Sequence, residues 1–313
     1  MTRSPRLAVV GSINLDLIAR TAALPRPGET VGGGSFSRLP GGKGANQAAA
    51  AAALGVATRM IGAVGDDADG ALARDTLVAA GVDVSAVRTV DEPTGVALIG
   101  IDASGENQIS VCPGANAAVT VPGDAFAPGE AVLVQLEVPM TAVAAAARAC
   151  TGFFAVNAAP AAELPEAVLQ RADLVIVNET EFAALPALHG AGAGAVDAGA
   201  GAGAVDAGAD AGAGAGAGVG HGEGAGPLVA VSLGAEGAKL LRGGAEVARA
   251  ASPAAAVVST VGAGDAFCAA LVAALISGVA EADALAAACA VGAAAVADER
   301  SQPALQPLEA YLP

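Results

Sequence analysis

The fold turns on Leu7-Ala8-Val9-Val10-Gly11-Ser12-Ile13-Asn14-Leu15-Asp16, in which four apolar residues in a row stop at a glycine and polar side chains follow. An unbroken apolar run of this length, closed by a turn residue, reads as a strand buried on both faces, as parallel sheets require. Such a strand delivers Asn14 and Asp16 to its carboxyl end, where open α/β sheets gather their ligands. Similar runs recur at 132–136, 153–156, 174–177 and 228–233, and they alternate with Ala-rich stretches at 46–54, 141–150 and 265–275. The expected fold class is therefore α/β, a mostly parallel central sheet covered by helices on both faces.

Two segments break this rhythm. Residues 29–40 are one, and 95–112 the other, where two apolar stretches flank Asp102-Ala103-Ser104-Gly105-Glu106-Asn107 as in a β-hairpin. Together they predict a small accessory sheet, with lid segments at about 12–40 and 95–112, on a single domain spanning 1–313. Residues 190–226 are almost pure Gly and Ala, with Gly-Ala-Val-Asp-Ala-Gly-Ala-Gly-Ala at 194–202 partly repeated from 203. A calcium-binding β-helix needs more copies and a denser Gly-Asp pattern. A flexible insertion is expected, because the segment lacks the large apolar groups that offset ordering entropy.

Composition removes several function classes. The 313 residues carry a formal charge of −16, which repels phosphate backbones and anionic lipid, so neither nucleic acid nor a membrane is an expected partner. The mean hydropathy of +0.58 comes from Ala and Val, and no run of about 20 apolar residues lacks Gly, Pro or charge, as a spanning helix requires. Aromatics are only 2% and Trp is absent, so the core must be built from small aliphatic side chains. The apolar run after Met1-Thr2-Arg3-Ser4-Pro5-Arg6 is too short for an export signal. Cys112, Cys150, Cys268 and Cys289 show no metal-ligand spacing and fit a reducing cytoplasm. With His189 and His221 the only histidines, a Ser-His-Asp triad or a His-rich metal site is all but excluded.

Four segments carry candidate chemistry. Thr260-Val261-Gly262-Ala263-Gly264-Asp265-Ala266-Phe267 is a glycine turn opening an apolar helix, where backbone N–H groups and the helix dipole favour an anion. Asp265 is either a carboxylate stabilising the helix start or a general base beside a phosphate. Gly41-Gly42-Lys43-Gly44-Ala45-Asn46-Gln47-Ala48 is a second glycine turn, with one cation and two amides. It is not a Walker A loop, and no GxGxxG follows the first strand, so neither a P-loop nor a nicotinamide-binding reading fits. Asp16 is suited to accepting bonds from substrate hydroxyls or to capping a turn. Asn178-Glu179-Thr180-Glu181 pairs an amide with a carboxylate three residues on, which suits either a hydrated Mg²⁺ or a capped helix.

Taken together, these segments resemble the ribokinase-like, or PfkB, carbohydrate kinases over the whole chain except 190–226. The resemblance rests on Val10 to Asp16, Pro27-Gly28-Glu29-Thr30, Gly41 to Ala48, Ser104-Gly105-Glu106-Asn107 and Gly114-Ala115-Asn116. It continues through Gln135-Leu136-Glu137, Asn157-Ala158-Ala159-Pro160, Asn178 to Glu181, Ser232 to Gly237 and Gly262 to Asp265. It implies ATP-dependent phosphorylation of a sugar's primary hydroxyl, the 5-hydroxyl in the case of D-ribose. By the same resemblance Asp265 is the base, and the N–H groups of Gly262, Ala263 and Gly264 form the anion hole. Asn14, Asp16, Gly42, Lys43, Asn46 and Glu137 line the sugar pocket. Asn178 and Glu181 order Mg²⁺ through water, and Asn178, Ser232, Gly234, Ala235, Glu236, Gly237 and Gly264 border ATP. A homodimer paired through the lids is implied as well.

The chain departs from the family at its monovalent-cation site. The family usually has an Asp two residues before the position of Val261, and here stands Ser259; Gly and Ser are usual where Arg300 and Ala304 align. The implied K⁺ ligands are Ser259 and the backbone carbonyls of Val261, Ala295, Asp298 and Arg300. They lack the one charged group, which weakens the case for K⁺ activation and leaves the guanidinium of Arg300 to stand in for the cation. The alternatives are a sister kinase acting on 2-deoxyribose, fructose or a nucleoside, or a sugar-binding regulator without turnover.

Overall fold

The computed structural model describes residues 5–190, 226–298 and 300–313. Apart from residues 190 and 226, the expected Gly/Ala insertion lies outside them, as does His221. The chain runs β1 (Arg6–Val10), β2 (Asn14–Arg20), β3 (Ser35–Gly41), α1 (Lys43–Ala53), β4 (Ala57–Gly65), α2 (Ala68–Ala79) and β5 (Asp83–Val90). It continues with β6 (Gly95–Ile101), β7 (Asn107–Cys112), β8 (Ala131–Gln135), α3 (Met140–Ala149), β9 (Phe154–Asn157), α4 (Glu166–Arg171), β10 (Leu174–Asn178) and α5 (Glu179–Ala184). The last elements are β11 (Leu228–Ser232), β12 (Ala238–Arg242), β13 (Ala245–Ala250), α6 (Ala263–Ile276) and α7 (Glu281–Ala295).

Nine strands form the main sheet in the order β13-β12-β11-β10-β9-β8-β1-β4-β5. From β11 to β5 every pairing is parallel, while β12 and β13 add an antiparallel edge that the sequence analysis did not anticipate. That edge is a hairpin turned by Gly243 and Gly244, both at positive φ, the conformation a tight hairpin turn needs.

The period-two alternation of each central strand splits the core in two. Leu7, Val9, Leu133, Leu174 and Ile176 face one layer, packed with Ala48 and Ala51 of α1, Ala269 and Leu271 of α6, and Leu285 of α7. Ala8, Val10, Val132, Val134, Val175 and Val177 face the other, with Val143 of α3 and Val168 of α4. Both faces are apolar because both are covered by helices. Alanine is the commonest residue of α1, α6 and α7, so this layer is built largely from small side chains.

β3, β2, β6 and β7 form a separate four-stranded sheet in that order. Ile18, Ala97, Ile99 and Ile101 make its small apolar cluster, and β7 is exposed along its whole length. In the main sheet β1 is flanked by β4 on one side and β8 on the other, so chain order reverses between β1 and β8. Ligand crevices open at such switch points, beyond the carboxyl ends of the strands. Among the described residues no helix is long and apolar enough to cross a membrane.

Candidate active site

Two glycine-rich loops cross at the switch point without side chains between them. A Cβ on Gly44 would lie 2.7 Å from the Cα and carbonyl carbon of Gly11, and one on Gly42 would lie 2.8 Å from the Asn14 nitrogen. Gly42, at φ 90°, also gives α1 its entry turn. The start of α1 therefore presses onto the loop after β1, where the Ala45 N–H donates to the Ser12 carbonyl at 2.9 Å. Ser12 Oγ donates to Glu137 Oε2 at 2.5 Å, and the Lys43 N–H reaches the same oxygen at 3.2 Å. Glu137 follows β8, so this carboxylate ties the two sides of the switch point together.

Asp265 arrives from the far end of the chain. It is the third residue of α6, whose N-cap Gly262 takes φ 80°, and a Cβ there would stand 2.1 Å from the Ser301 carbonyl oxygen. Asp265 Oδ2 accepts from Asn46 Nδ2 at 3.0 Å and Oδ1 from Gln47 Nε2 at 2.9 Å. Burial pushes the Asp265 carboxyl up, while the Lys43 ammonium and the two amides pull against it. Beyond Gly264, the position a Cβ would take is open for 4 Å. The Ala263 N–H differs from the expected anion hole: it closes the helix-entry turn on the Thr260 carbonyl at 3.4 Å.

Asp16 lies on β2 opposite the 39–41 end of β3, and Gly41 makes room for it: a Cβ on Gly41 would be 2.2 Å from its carboxylate. Burial, then the charges of Glu137 and Asp265, push the Asp16 carboxyl up to about 7. Burial alone would lower the Lys43 ammonium, but the nearby acidic groups, Asp265 and Glu137 first among them, together outweigh it and hold the group above its ordinary value. Asp16, Lys43, Glu137 and Asp265 thus share one electrostatic neighbourhood. Asn14 is buried, and its Oδ1 accepts from Asn116 Nδ2 at 2.7 Å; Asn116 also bonds both backbone groups of Ile13. A cluster of carboxylates and amides at a strand-end crevice suits a ligand rich in hydroxyls, each of them both donor and acceptor.

Farther along the same sheet edge, Asn178 and Ser232 end neighbouring strands in register. Asn178 Oδ1 accepts from the Glu181 N–H at 2.7 Å and Glu181 Oε2 from the Asn178 N–H at 2.9 Å, a reciprocal cap on α5. The Glu181 charge still acts on Lys43 and Cys268. An amide and a carboxylate so placed fit a Mg²⁺ held through its own waters; among the described residues no cluster of three or more His, Cys, Asp or Glu stands ready to bind a metal directly. Gly234–Glu236 form an exposed 3-10 turn, and Gly237, at φ 100°, tucks its backbone against the Ala250 carbonyl.

Among the residues expected for K⁺, the side chains of Asp298 and Arg300 are paired with each other. The Asp298 carboxylate is clasped by the Arg300 guanidinium at 2.9 and 2.6 Å and by the N–H groups of Arg300 and Ala304, and the clasp holds it below the usual carboxylate range. Ser259 Oγ accepts from the Val261 N–H at 3.2 Å, and the Ala295 carbonyl accepts from the Asp298 N–H. The guanidinium of Arg300, expected to stand in for the cation, is held on Asp298, and its side chain is 59% exposed.

The sequence motifs contain Ser12, Gln47, Asn116, Gln135 and Asn157 but assign them no role. Polar residues beside glycine loops carry no sequence signal of which partner they will meet. An apolar groove of about 500 Å³ lined by Ala161, Leu164, Leu169, Ala184 and Leu188 contains none of the candidate residues.

Comparison with known proteins finds relatives along the chain. The ribokinase of Haemophilus influenzae is 36% identical over 194 residues, 59% of this chain and 63% of its own length, so the match spans a little under two thirds of that relative. The ribokinase of Arabidopsis thaliana is 31% identical over 281 residues, covering 85% of this chain and 69% of its own. The structure of Arabidopsis ribokinase complexed with ribose and ATP superposes with a TM-score of 0.74 at 27% identity, covering 98% of this chain and 97% of that one. The model of the pfkB family carbohydrate kinases matches residues 4–307, and the chain belongs to that family.

Proposed function

We propose that the protein is an ATP-dependent kinase that phosphorylates the 5-hydroxyl of D-ribose to give D-ribose 5-phosphate. The observation that carries this reading is Asp265, held at the opening turn of α6 by Asn46 and Gln47 beside the Asp16, Lys43 and Glu137 cluster. Similarity to ribokinases supports the choice of sugar.

Asp16, Lys43, Glu137 and the backbone of Gly42 bond the sugar hydroxyls, with Asn14 fixing the loop beneath and Asn46 shared between sugar and base. Asp265 accepts the proton of the 5-hydroxyl as its oxygen bonds to the γ-phosphorus. The bond from that phosphorus to the bridging oxygen breaks, and ADP leaves with the electron pair. The amides of Gly262 and Gly264 and the α6 dipole meet the charge on the transferring group. Ser232, Gly234, Ala235, Glu236 and Gly237 border the nucleotide. Asn178 and Glu181 would hold Mg²⁺ through water, and the ion would offset the phosphate charge in a protein of net charge −16. A reducing, ATP-supplied cytoplasm suits the four unpaired thiols. The exposed β7 edge supports a homodimer formed through the small sheet.

The test is ADP release from Mg-ATP with D-ribose, 2-deoxyribose, fructose and adenosine in parallel, each in K⁺ and in Na⁺. Turnover is expected on ribose, equal in both salts and abolished in Asp265→Asn. Faster turnover on another acceptor would reassign the substrate, and silence on all four with calorimetric sugar binding would make the protein a regulator. Saturable activation by K⁺ alone would overturn the reading of the Asp298–Arg300 clasp.

A further inference from the structure

The amide of Gln47 is committed on every side. Its Nε2 donates to Asp265 Oδ1 at 2.9 Å and to Asn157 Oδ1 at 3.0 Å, and its Oε1 accepts from Gln135 Nε2 at 2.5 Å. Gln47 and Gln135 are fully buried, and Asn157 nearly so. The two ends of an amide are told apart by the bonds around them, and here a backbone group decides. Asn157 Nδ2 donates at 3.2 Å to the Ile176 carbonyl oxygen, which can only accept. Asn157 therefore turns its oxygen to Gln47, Gln47 answers with its NH₂, and the second hydrogen of that NH₂ is left for Asp265.

The oxygen of Gln47 then needs a donor, which Gln135 supplies at a cost to itself. Gln135 Oε1 is the buried side-chain polar atom that finds no partner among the described residues. Turning the Gln135 amide over would set oxygen against oxygen at Gln47, so the unmet acceptor is the consequence of presenting Nε2. Gly11 leaves the space for it: a Cβ there would be 1.8 Å from Gln135 Oε1. A buried group left unpaired in an otherwise satisfied network calls for a reason, and this network ends on Asp265.

We propose that Gln47 is a positioning residue for Asp265, oriented from the β10 backbone through Asn157 and locked by Gln135, so that the carboxylate keeps the aim and the ionised form that proton abstraction needs. The proposal rests on the reading of Asp265 as the base. A hydrogen bond to the charged form favours that form, and it acts here against the burial that pushes the Asp265 carboxyl up.

The experiment is the pH dependence of kcat and kcat/KM with ribose for Gln47→Met, Gln135→Met and the double variant, with Asp265→Asn alongside. Gln47→Met is expected to lower kcat by about 10- to 100-fold, less than the ~10²–10³ of a lost oxyanion-hole donor because Gln47 acts through Asp265 and does not touch the transferring group, with the sugar KM little changed and the acid limb moved to higher pH. Gln135→Met should move the limb the same way by less. The double variant should be no worse than Gln47→Met, since Gln135 acts through Gln47. If Gln47→Met fails to fold, the near-isosteric Gln47→Glu carries the test, because a carboxylate facing Asp265 should drive the limb still higher. Lower thermal stability with the acid limb in place, in whichever variant folds, would overturn the proposal while a dead Asp265→Asn left the base assignment standing. Full activity in Asp265→Asn would instead remove the base assignment and this proposal with it.

Discussion

Asp16 shows how a binding residue is held at a cost in stability. Its carboxyl titrates at about 7 in the fold against an ordinary value of 3.8, because burial and two neighbouring carboxylates disfavour the charge. Below pH 3.8 folded and unfolded chains both hold the proton. As pH rises towards 7 the unfolded chain releases it and the fold does not, so the contribution to stability is lost progressively across that window. Asp16→Asn removes the penalty. The variant should melt close to the native protein at pH 4 and at a higher temperature at pH 8, and a difference in melting temperature that is the same at both pH values would refute the assignment.

At the scale of elements, the start of α6 depends on one backbone conformation. Gly262 at φ 80° turns the chain into the helix and lets the Ser301 carbonyl approach to within 2.1 Å of where a Cβ would stand. Gly262→Ala should cost about 1–3 kcal/mol in backbone strain alone, before the clash is counted, and should displace Asp265 and lower kcat. Denaturant midpoints and turnover measured together check this; a variant with native values of both would show that the turn relaxes. The glycines of this turn and of the 41–44 loop were legible in the sequence, because a glycine turn opening a helix has a recognisable pattern. The antiparallel hairpin of β12 and β13 was not, since Ala238–Arg242 and Ala245–Ala250 are short and only partly apolar.

For the molecule as a whole, the small sheet ends in two edge strands, β3 and β7, and β7 is exposed along its whole length. Ile109 and Val111 on β7 are 55% and 49% exposed and stand opposite Ile99 and Ala97 on the same face. An edge with unpaired backbone groups and exposed apolar side chains invites a second copy across a twofold axis. The native protein should run at twice its chain mass in size-exclusion chromatography with light scattering, and the double change Ile109→Lys and Val111→Lys should give a monomer. A native protein running at the mass of one chain would end the dimer reading.

Local pattern was enough for the parallel sheet and the two glycine loops, because apolar runs and glycine turns express short-range preferences of the backbone. It could not supply the partners of Asp265, which stand 219 and 218 positions away at Asn46 and Gln47. Nor could it foresee that Asp298 would be spent on Arg300 or that Gln135 would leave one oxygen unpaired. Those outcomes depend on strand order and on how closely the loops approach at the switch point. A polar side chain takes whichever partner the fold places within about 3 Å of it, and that distance exists only once the strands are in register.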